Sequence, residues 1–136
     1  MRLLIADDNE IVRIGVRALL RERTDWETCG FAASGREAIA KVRELLPDVV
    51  ILDLTMPDMI GFEVAAEISR IAPATKIVFF SIHDFPVDAI EVGAAAFVSK
   101  TAPAKELVAT VERVTASPNG PAPEETLNDS PKSLCI

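Results

Sequence analysis

The fold and the chemistry of this chain are both organised around one short stretch of sequence. It reads Val49-Val50-Ile51-Leu52-Asp53-Leu54-Thr55-Met56-Pro57-Asp58-Met59-Ile60-Gly61. Four apolar residues run directly into a carboxylate, and a loop that contains proline, aspartate and glycine follows. This order predicts a fully buried strand over residues 49–52 that ends at an exposed acid, Asp53. Ligands of parallel α/β sheets bind at the edge where the strands end, so Asp53 is a candidate site residue.

Short apolar runs alternate with amphipathic segments on both sides of this stretch. The apolar runs predict strands at 2–6, 26–31, 49–52, 76–80 and 95–99. The segments with helical spacing of apolar residues lie at about 10–22, 35–46, 61–71, 84–93 and 103–115. Repeated strand–helix units with continuous apolar strands predict an α/β fold, in which a doubly wound, five-stranded parallel sheet carries helices on both faces.

Length and composition predict one folded domain followed by a tail. A chain of 136 residues is long enough to bury a substantial apolar core. The strand–helix pattern ends near residue 115, and four of the nine prolines fall in residues 116–136. Because a proline-rich, apolar-poor segment cannot bury enough surface to fold, we expect a domain at 1–115 and a disordered tail or linker at 116–136.

Charge, cysteine content and hydropathy argue against several classes of protein. The formal net charge of −7 argues against binding of nucleic acid by this chain alone, because such binding relies on a basic surface. Cys29 and Cys135 are far apart, which indicates free thiols in a reducing cytoplasm. No apolar run approaches ~18 residues, so we expect no contact with a membrane.

Polar side chains follow four of the five predicted strands. They are Asp7 and Asp8, Asp53, Ser81 and Lys100. All of them can meet at the edge where parallel strands end. Three carboxylates in one place repel one another unless a cation relieves them, and hard oxygen ligands without histidine or cysteine indicate Mg²⁺. A lysine and a hydroxyl beside such a metal suit a phosphoryl group, with Asp53 as the nucleophile.

The chain resembles the receiver domain of bacterial two-component response regulators over about residues 1–115. The resemblance rests on the pair Asp7-Asp8, the stretch Asp53 to Gly61, Ser81 and Lys100. It implies a flavodoxin-like fold with strand order 2-1-3-4-5. The motifs Ser81-Ile82-His83-Asp84 and Lys100-Thr101-Ala102 are similar to those of NarL/FixJ-type receivers, which normally precede a DNA-binding helix-turn-helix.

The resemblance implies that Asp53 is a phosphoacceptor. It would receive a phosphoryl group from a phosphohistidine on a sensor histidine kinase or a phosphotransfer protein. Mg²⁺ would be bound directly by Asp8, Asp53 and the backbone carbonyl of Thr55, and through water by Asp7. The chain would then be a cytoplasmic signalling module and not an enzyme.

The same resemblance implies a conformational switch. Lys100 would pair with one phosphoryl oxygen, and the Ser81 hydroxyl would turn inward to another. Phe97 lies where the family has an aromatic residue that changes rotamer as that hydroxyl moves. The face formed by the 84–93 helix, the fifth strand and the last helix would be read by a C-terminal output domain, a separate protein or a second copy in a phosphorylation-dependent homodimer.

Three positions depart from the family pattern. Ile60 stands in place of the usual acid before the loop glycine, where it would alter partner choice more than chemistry. Thr101 replaces the proline that commonly follows the lysine, which leaves the geometry of that loop open. Ile82 is bulkier than the residue found after the hydroxyl in many receivers, so it would restrict access to the phosphoryl group and slow its loss.

Other classes of protein fit the sequence less well. A phosphatase of the haloacid dehalogenase type needs a second acid two residues after its nucleophile, where this chain has Thr55. A dinucleotide-binding protein needs a G-x-G-x-x-G turn after a strand, and none is present. The remaining alternative is a degenerate receiver that acts as a phosphorylation-independent interaction module.

Overall fold

This computed structural model describes residues 1–82 and 93–116. The helix predicted over 84–93 lies outside these residues except for Gly93, and the segment 116–136 lies outside them except for Ala116. Both assignments therefore stay predictions, as does the boundary between the domain and its tail.

The described chain folds into alternating strands and helices. The strands are β1 (Arg2–Ala6), β2 (Glu27–Ala32), β3 (Val49–Leu52), β4 (Lys76–Ser81) and β5 (Ala96–Ser99). The helices are α1 (Glu10–Leu20), α2 (Gly35–Leu45), α3 (Gly61–Ile71) and α4 (Ala104–Thr115). All neighbouring strands pair in parallel, in the order β2-β1-β3-β4-β5. This order confirms the predicted flavodoxin-like, doubly wound sheet.

The central strand β3 is buried on both faces because helices cover both sides of the sheet. Its four residues, Val49–Leu52, are at most 1% exposed. Successive side chains point to opposite faces, so Val50 and Leu52 join one core cluster while Val49 and Ile51 join the other. The first cluster contains residues of α2 and α3, and the second contains residues of α1 and α4. This two-sided burial explains why β3 has an uninterrupted apolar sequence.

Strands β1 and β3 and helix α3 have the predicted boundaries, and the other described elements differ from the prediction by one or two residues at one or both ends. Strand β2 begins at Glu27 and not at Trp26, because the Trp26 N–H donates to the Arg23 carbonyl in a turn. Helix α1 begins at Glu10, as predicted, because the Asn9 side chain accepts hydrogen bonds from the N–H groups of Ile11 and Val12, and it ends at Leu20 and not at residue 22. Asn9 is therefore the N-cap of α1, which leaves the two preceding aspartates available for another role.

Candidate functional site

The predicted site residues meet at the carboxyl edge of the sheet, where all five strands end. Backbone hydrogen bonds extend the ladders past the strand ends and hold these residues in place. The Asp53 N–H donates to the Ala6 carbonyl at 2.9 Å, and the Lys100 N–H donates to the Ser81 carbonyl at 2.9 Å. These hydrogen bonds fix the backbone positions of Asp53 and Lys100 relative to the sheet.

Three carboxylates form one cluster at this edge, which we call the acid cluster (Asp7, Asp8 and Asp53). One oxygen from each lies within 4.8 Å of the others. Asp8 is exposed, but Asp7 and Asp53 are only 3% and 4% exposed. The prediction of an exposed acid at Asp53 is therefore wrong. A sequence pattern places Asp53 after the strand, but the packing of Asp7 and Lys100 beside it decides its exposure.

Among the residues that the structure describes, Lys100 is the cation that pairs with the acid cluster. Its Nζ lies 2.7 Å from Asp7 Oδ2 and 3.5 Å from Asp53 Oδ2. The other oxygen of Asp7 accepts a hydrogen bond from the Asn9 N–H at 2.9 Å. Both oxygens of Asp7 thus have protein partners, whereas Asp53 has a longer ion pair and a long 3.4 Å bond from the Thr55 N–H.

The electrostatics of Asp53 favour a neutral or cation-bound state. Burial raises the pKa of this carboxyl above its ordinary value, and the neighbouring Asp7 carboxylate raises it further. Lys100 and the Thr55 N–H act in the opposite direction and do not offset these two causes. A divalent cation would stabilise the ionised form of Asp53, which is the nucleophilic one.

The acid cluster is chemically suited to Mg²⁺. It presents carboxylate oxygens from Asp7, Asp8 and Asp53, with no histidine or cysteine among them. Hard oxygen donors of this kind are the ligands that Mg²⁺ and Ca²⁺ take in proteins, and Mg²⁺ binds through one or two carboxylates together with water and phosphate. The exposure of Asp8 leaves the cluster open to solvent on one side.

The loop between β3 and α3 (residues 53–60, the β3–α3 loop) is closed tightly at its base. The Gly61 N–H donates to the Leu54 carbonyl at 2.5 Å, and Thr55 pairs with Ile60 in an antiparallel bridge. A Cβ on Gly61 would lie 2.6 Å from Leu54 Cα and 2.8 Å from the Asp53 carbonyl oxygen. Gly61 is required by this close approach, a reason that the sequence pattern of a turn glycine does not reveal.

Ser81 and Phe97, the predicted switch residues, lie on neighbouring strands. Ser81 is the last residue of β4 and is fully buried. Phe97 is half-buried on β5 beside Phe79, and it packs against the core cluster that contains α2 and α3. Both therefore have the surroundings of core residues.

The turn after β5 is shaped by hydroxyl groups that the sequence analysis did not single out. Ser99 Oγ accepts a hydrogen bond from the Thr101 N–H at 3.1 Å and lies 2.7 Å from Thr101 Oγ1. These bonds bracket Lys100 and shape the turn without the usual proline. The other two departures from the family pattern, Ile60 and Ile82, are 55% and 67% exposed at the same edge of the sheet.

The chain belongs to the response regulator receiver domain family, whose model matches residues 3–112. It is thus a receiver domain of the two-component response regulators. The response regulator VraR of Staphylococcus aureus is 38% identical to it over 116 residues, which are 83% of this chain and 56% of VraR. The chain therefore spans little more than half the length of this curated relative.

Solved structures agree with this assignment. A two-component response regulator of the LuxR family from Aurantimonas sp. SI85-9A1 superimposes with a TM-score of 0.81 at 35% identity, over 85% of this chain and 84% of that one. The receiver domain of the putative response regulator NarL from Mycobacterium tuberculosis gives a TM-score of 0.75 at 34% identity, over 81% and 91% of the two chains. In the part of the chain that the structure describes, no helix is long and apolar enough to cross a membrane.

Proposed function

We propose that Asp53 accepts a phosphoryl group from a phosphohistidine on a sensor histidine kinase or phosphotransfer protein. The observation that carries this proposal is the buried Asp53 carboxylate, 3.5 Å from Lys100 Nζ and within 4.8 Å of two further acids. One Asp53 oxygen forms a bond to phosphorus while the P–N bond to the imidazole breaks. The electron pair of the P–N bond stays on the imidazole nitrogen, which takes a proton from solvent.

The chain's own residues position the groups and balance the charge. Asp8, Asp53 and the Thr55 carbonyl would hold Mg²⁺, which offsets the negative charge of the carboxylates and of the transferred group. Asp7 would act through water, in keeping with the protein partners that both of its oxygens already have. Lys100 would leave Asp7 to pair with a phosphoryl oxygen, because that oxygen carries more charge than a shared carboxylate.

The transferred group changes the local charge balance and so can bias a two-state element. The phosphoryl group carries up to roughly two negative charges and three acceptor oxygens beside Lys100 and Ser81, in place of the single charge of the Asp53 carboxylate. We propose that Ser81 and Phe97 respond and that the face containing β5 and α4 is then read by an output domain, another protein or a second copy. On this proposal the chain is a cytoplasmic signalling module and not an enzyme.

Phosphorylation by a small donor tests the proposal directly. With Mg²⁺ and acetyl phosphate, the wild-type chain should gain one phosphoryl group, which peptide mapping by mass spectrometry should locate on Asp53. The Asp53→Asn variant should gain none, because an amide is not a nucleophile. Asp25→Asn, a change at an exposed acid on the opposite edge of the sheet, is the matched control and should be phosphorylated normally.

Two results would contradict the proposal. A wild-type chain that binds Mg²⁺ but forms no adduct would be a degenerate receiver, an interaction module that works without phosphorylation. An adduct on Ser81 would show that the nucleophile has been assigned to the wrong residue.

A further inference from the structure

Asp58 connects the β3–α3 loop to a helix that contributes no residue to the acid cluster. One of its carboxylate oxygens accepts a hydrogen bond from the Gly35 N–H at 2.8 Å, and the other accepts one from the Arg36 N–H at 3.0 Å. These are the first two N–H groups of α2, which have no partner inside the helix. Although Asp58 is exposed, both of its oxygens are engaged by the same element.

The N-terminus of α2 is capped from two independent sources. Ser34, the N-cap, accepts a hydrogen bond at Oγ from the Glu37 N–H at 3.1 Å. The Glu37 carboxylate reaches back to accept from the Ala33 N–H, one residue before the N-cap, at 2.7 Å, in a variant of the capping box. Asp58 supplies the remaining acceptors from a position 23 residues away in the chain. Ser34 caps the Glu37 N–H and Asp58 caps the Gly35 and Arg36 N–H groups, so the Asp58 contact ties the loop to the helix in addition to the local cap.

Packing beneath this contact supports the same connection. A Cβ on Gly35 would lie 2.8 Å from Met59 Cβ and 2.9 Å from Val64 Cγ2. The absence of a side chain at Gly35 therefore lets the β3–α3 loop approach the start of α2 closely enough for Asp58 to reach its N–H groups. The hydrogen bonds from Arg36 and Gly35 also hold the pKa of Asp58 below its usual range, so the carboxylate stays ionised.

The β3–α3 loop is thus held at two places. Its base is closed by the Gly61–Leu54 hydrogen bond, and its far end is held on α2 by Asp58. Thr55, whose carbonyl is the proposed metal ligand, lies between these two anchors. Thr55 is also paired with Ile60 in the antiparallel bridge. Release of the far end would keep the Gly61–Leu54 hydrogen bond but would loosen the turn at residues 56–59 that joins Thr55 to Ile60, and with it the bridge that holds Thr55.

We infer that Asp58 is a positioning residue that, by holding the β3–α3 loop on the N-terminus of α2, sets the place of the Thr55 carbonyl relative to Asp53. This inference rests on the proposed function, because it concerns the geometry of the Mg²⁺ and phosphoacceptor site. Asp58 itself touches neither the metal nor the phosphoryl group on this view.

Two cap removals on the same helix test the inference. Asp58→Ala removes two acceptors from the N-terminus of α2 and Ser34→Ala removes one, and each variant should lower the melting temperature by a few degrees. Only Asp58→Ala releases the loop. It should weaken Mg²⁺ binding, measured by calorimetry, by about tenfold, as is typical when a residue that orients a metal ligand is lost. Ser34→Ala should leave the Mg²⁺ affinity unchanged.

Hydrogen exchange without metal provides a second, independent readout. In Asp58→Ala the amides of the β3–α3 loop should exchange faster than in the wild type, whereas in Ser34→Ala they should not. Asp58→Asn keeps one acceptor oxygen and should give intermediate exchange and intermediate Mg²⁺ affinity.

The failure of this inference is distinct from that of the proposed function. Equal Mg²⁺ affinity in Asp58→Ala and wild type, or equal loss in both cap variants, would overturn the positioning role while leaving Asp53 phosphorylation intact. A wild-type chain that neither binds Mg²⁺ nor accepts a phosphoryl group would overturn both.

Discussion

Charged residues collect at both edges of the sheet, but the two edges use charge differently. At the amino edge, Arg23 pairs with Glu112 and Asp25 and its guanidinium lies 4.5 Å from the Trp26 ring centroid. The side chains of Glu112 and Asp25 are 51% and 67% exposed, so water screens these pairs. At the carboxyl edge, Lys100 pairs with Asp7 and Asp53, whose side chains are only 4% exposed.

The difference between the edges is one of charge balance as well as of burial. Exposed ion pairs contribute only about 0–1 kcal/mol, because each charge is also well solvated when unpaired. Buried charges interact more strongly and cost more when left without a partner. Three acids against one lysine therefore make the carboxyl edge sensitive to any added cation or anion, and the amino edge insensitive. This sensitivity is what a phosphorylation site requires.

Replacing the basic residue at each edge by alanine should give the largest difference in the free energy of unfolding. Lys100→Ala leaves Asp7 and Asp53 without their shared partner and should lower the free energy of unfolding by about 3 kcal/mol. Arg23→Ala at the amino edge should lower it by about 0.5 kcal/mol. Urea denaturation of both variants without metal measures the two values. Equal losses would show that the edges do not differ in the way that their burial indicates.

Lys100→Ala should also separate phosphorylation from its consequence. Some transfer to Asp53 should remain, because the nucleophile and the metal ligands are intact. The response of the β5 and α4 face should be lost, which hydrogen exchange of peptides from that face, before and after phosphorylation, can measure.

Addition of Mg²⁺ should distinguish the two edges, because we expect it to bind at the carboxyl edge alone. A cation that binds only the folded state stabilises it by roughly 2.7 kcal/mol at 100 times its dissociation constant. Millimolar Mg²⁺ should therefore raise the melting temperature of the wild type. Asp8→Ala should remove most of this response, and Asp25→Ala at the amino edge should retain it. A wild-type melting temperature that ignores Mg²⁺ would count against the acid cluster as a metal site.

The smallest expected effect is the pH dependence that Asp53 imparts. Its raised pKa means that the folded state holds this proton where the unfolded chain, with an aspartate pKa near 3.9, has lost it. The contribution of Asp53 to stability is therefore most favourable at low pH and declines as pH rises through the window between the unfolded and folded pKa values. Above that window the ionised carboxylate is a constant cost.

Asp53→Asn should remove this cost. Without metal, the variant should match the wild type at the lowest pH and become more stable than it by about 1 kcal/mol at neutral pH. Urea denaturation in the presence of a chelator, from the lowest pH to neutral pH, measures the difference in stability. A variant that is less stable than the wild type at neutral pH would contradict the predicted direction of the effect.

Much of the architecture could be predicted from local sequence patterns. The strand Val49–Leu52 and the helix Gly61–Ile71 have the predicted boundaries, because an apolar run and a helical spacing are properties of neighbouring residues. The convergence of Asp7, Asp53 and Lys100 could also be predicted, since parallel strands deliver their following residues to one edge. Each of these inferences depends only on where a residue lies along its own element.

Burial and pairing could not be predicted in this way. The 4% exposure of Asp53, the closer approach of Lys100 to Asp7 and the attachment of Asp58 to α2 all involve segments that are distant in the chain. The same is true of Gly61, whose missing side chain matters because the backbone of Leu54 lies against it.

The sequence by itself determined the order of strands and helices, the identity of the acids and the lysine, and the edge at which they meet. The tertiary structure alone decided which carboxylates are buried, which one Lys100 approaches more closely and how the β3–α3 loop is anchored. The physical reason is that periodicity acts between neighbours in the chain, whereas desolvation and ion pairing depend on distances that exist only after the sheet and its loops have assembled.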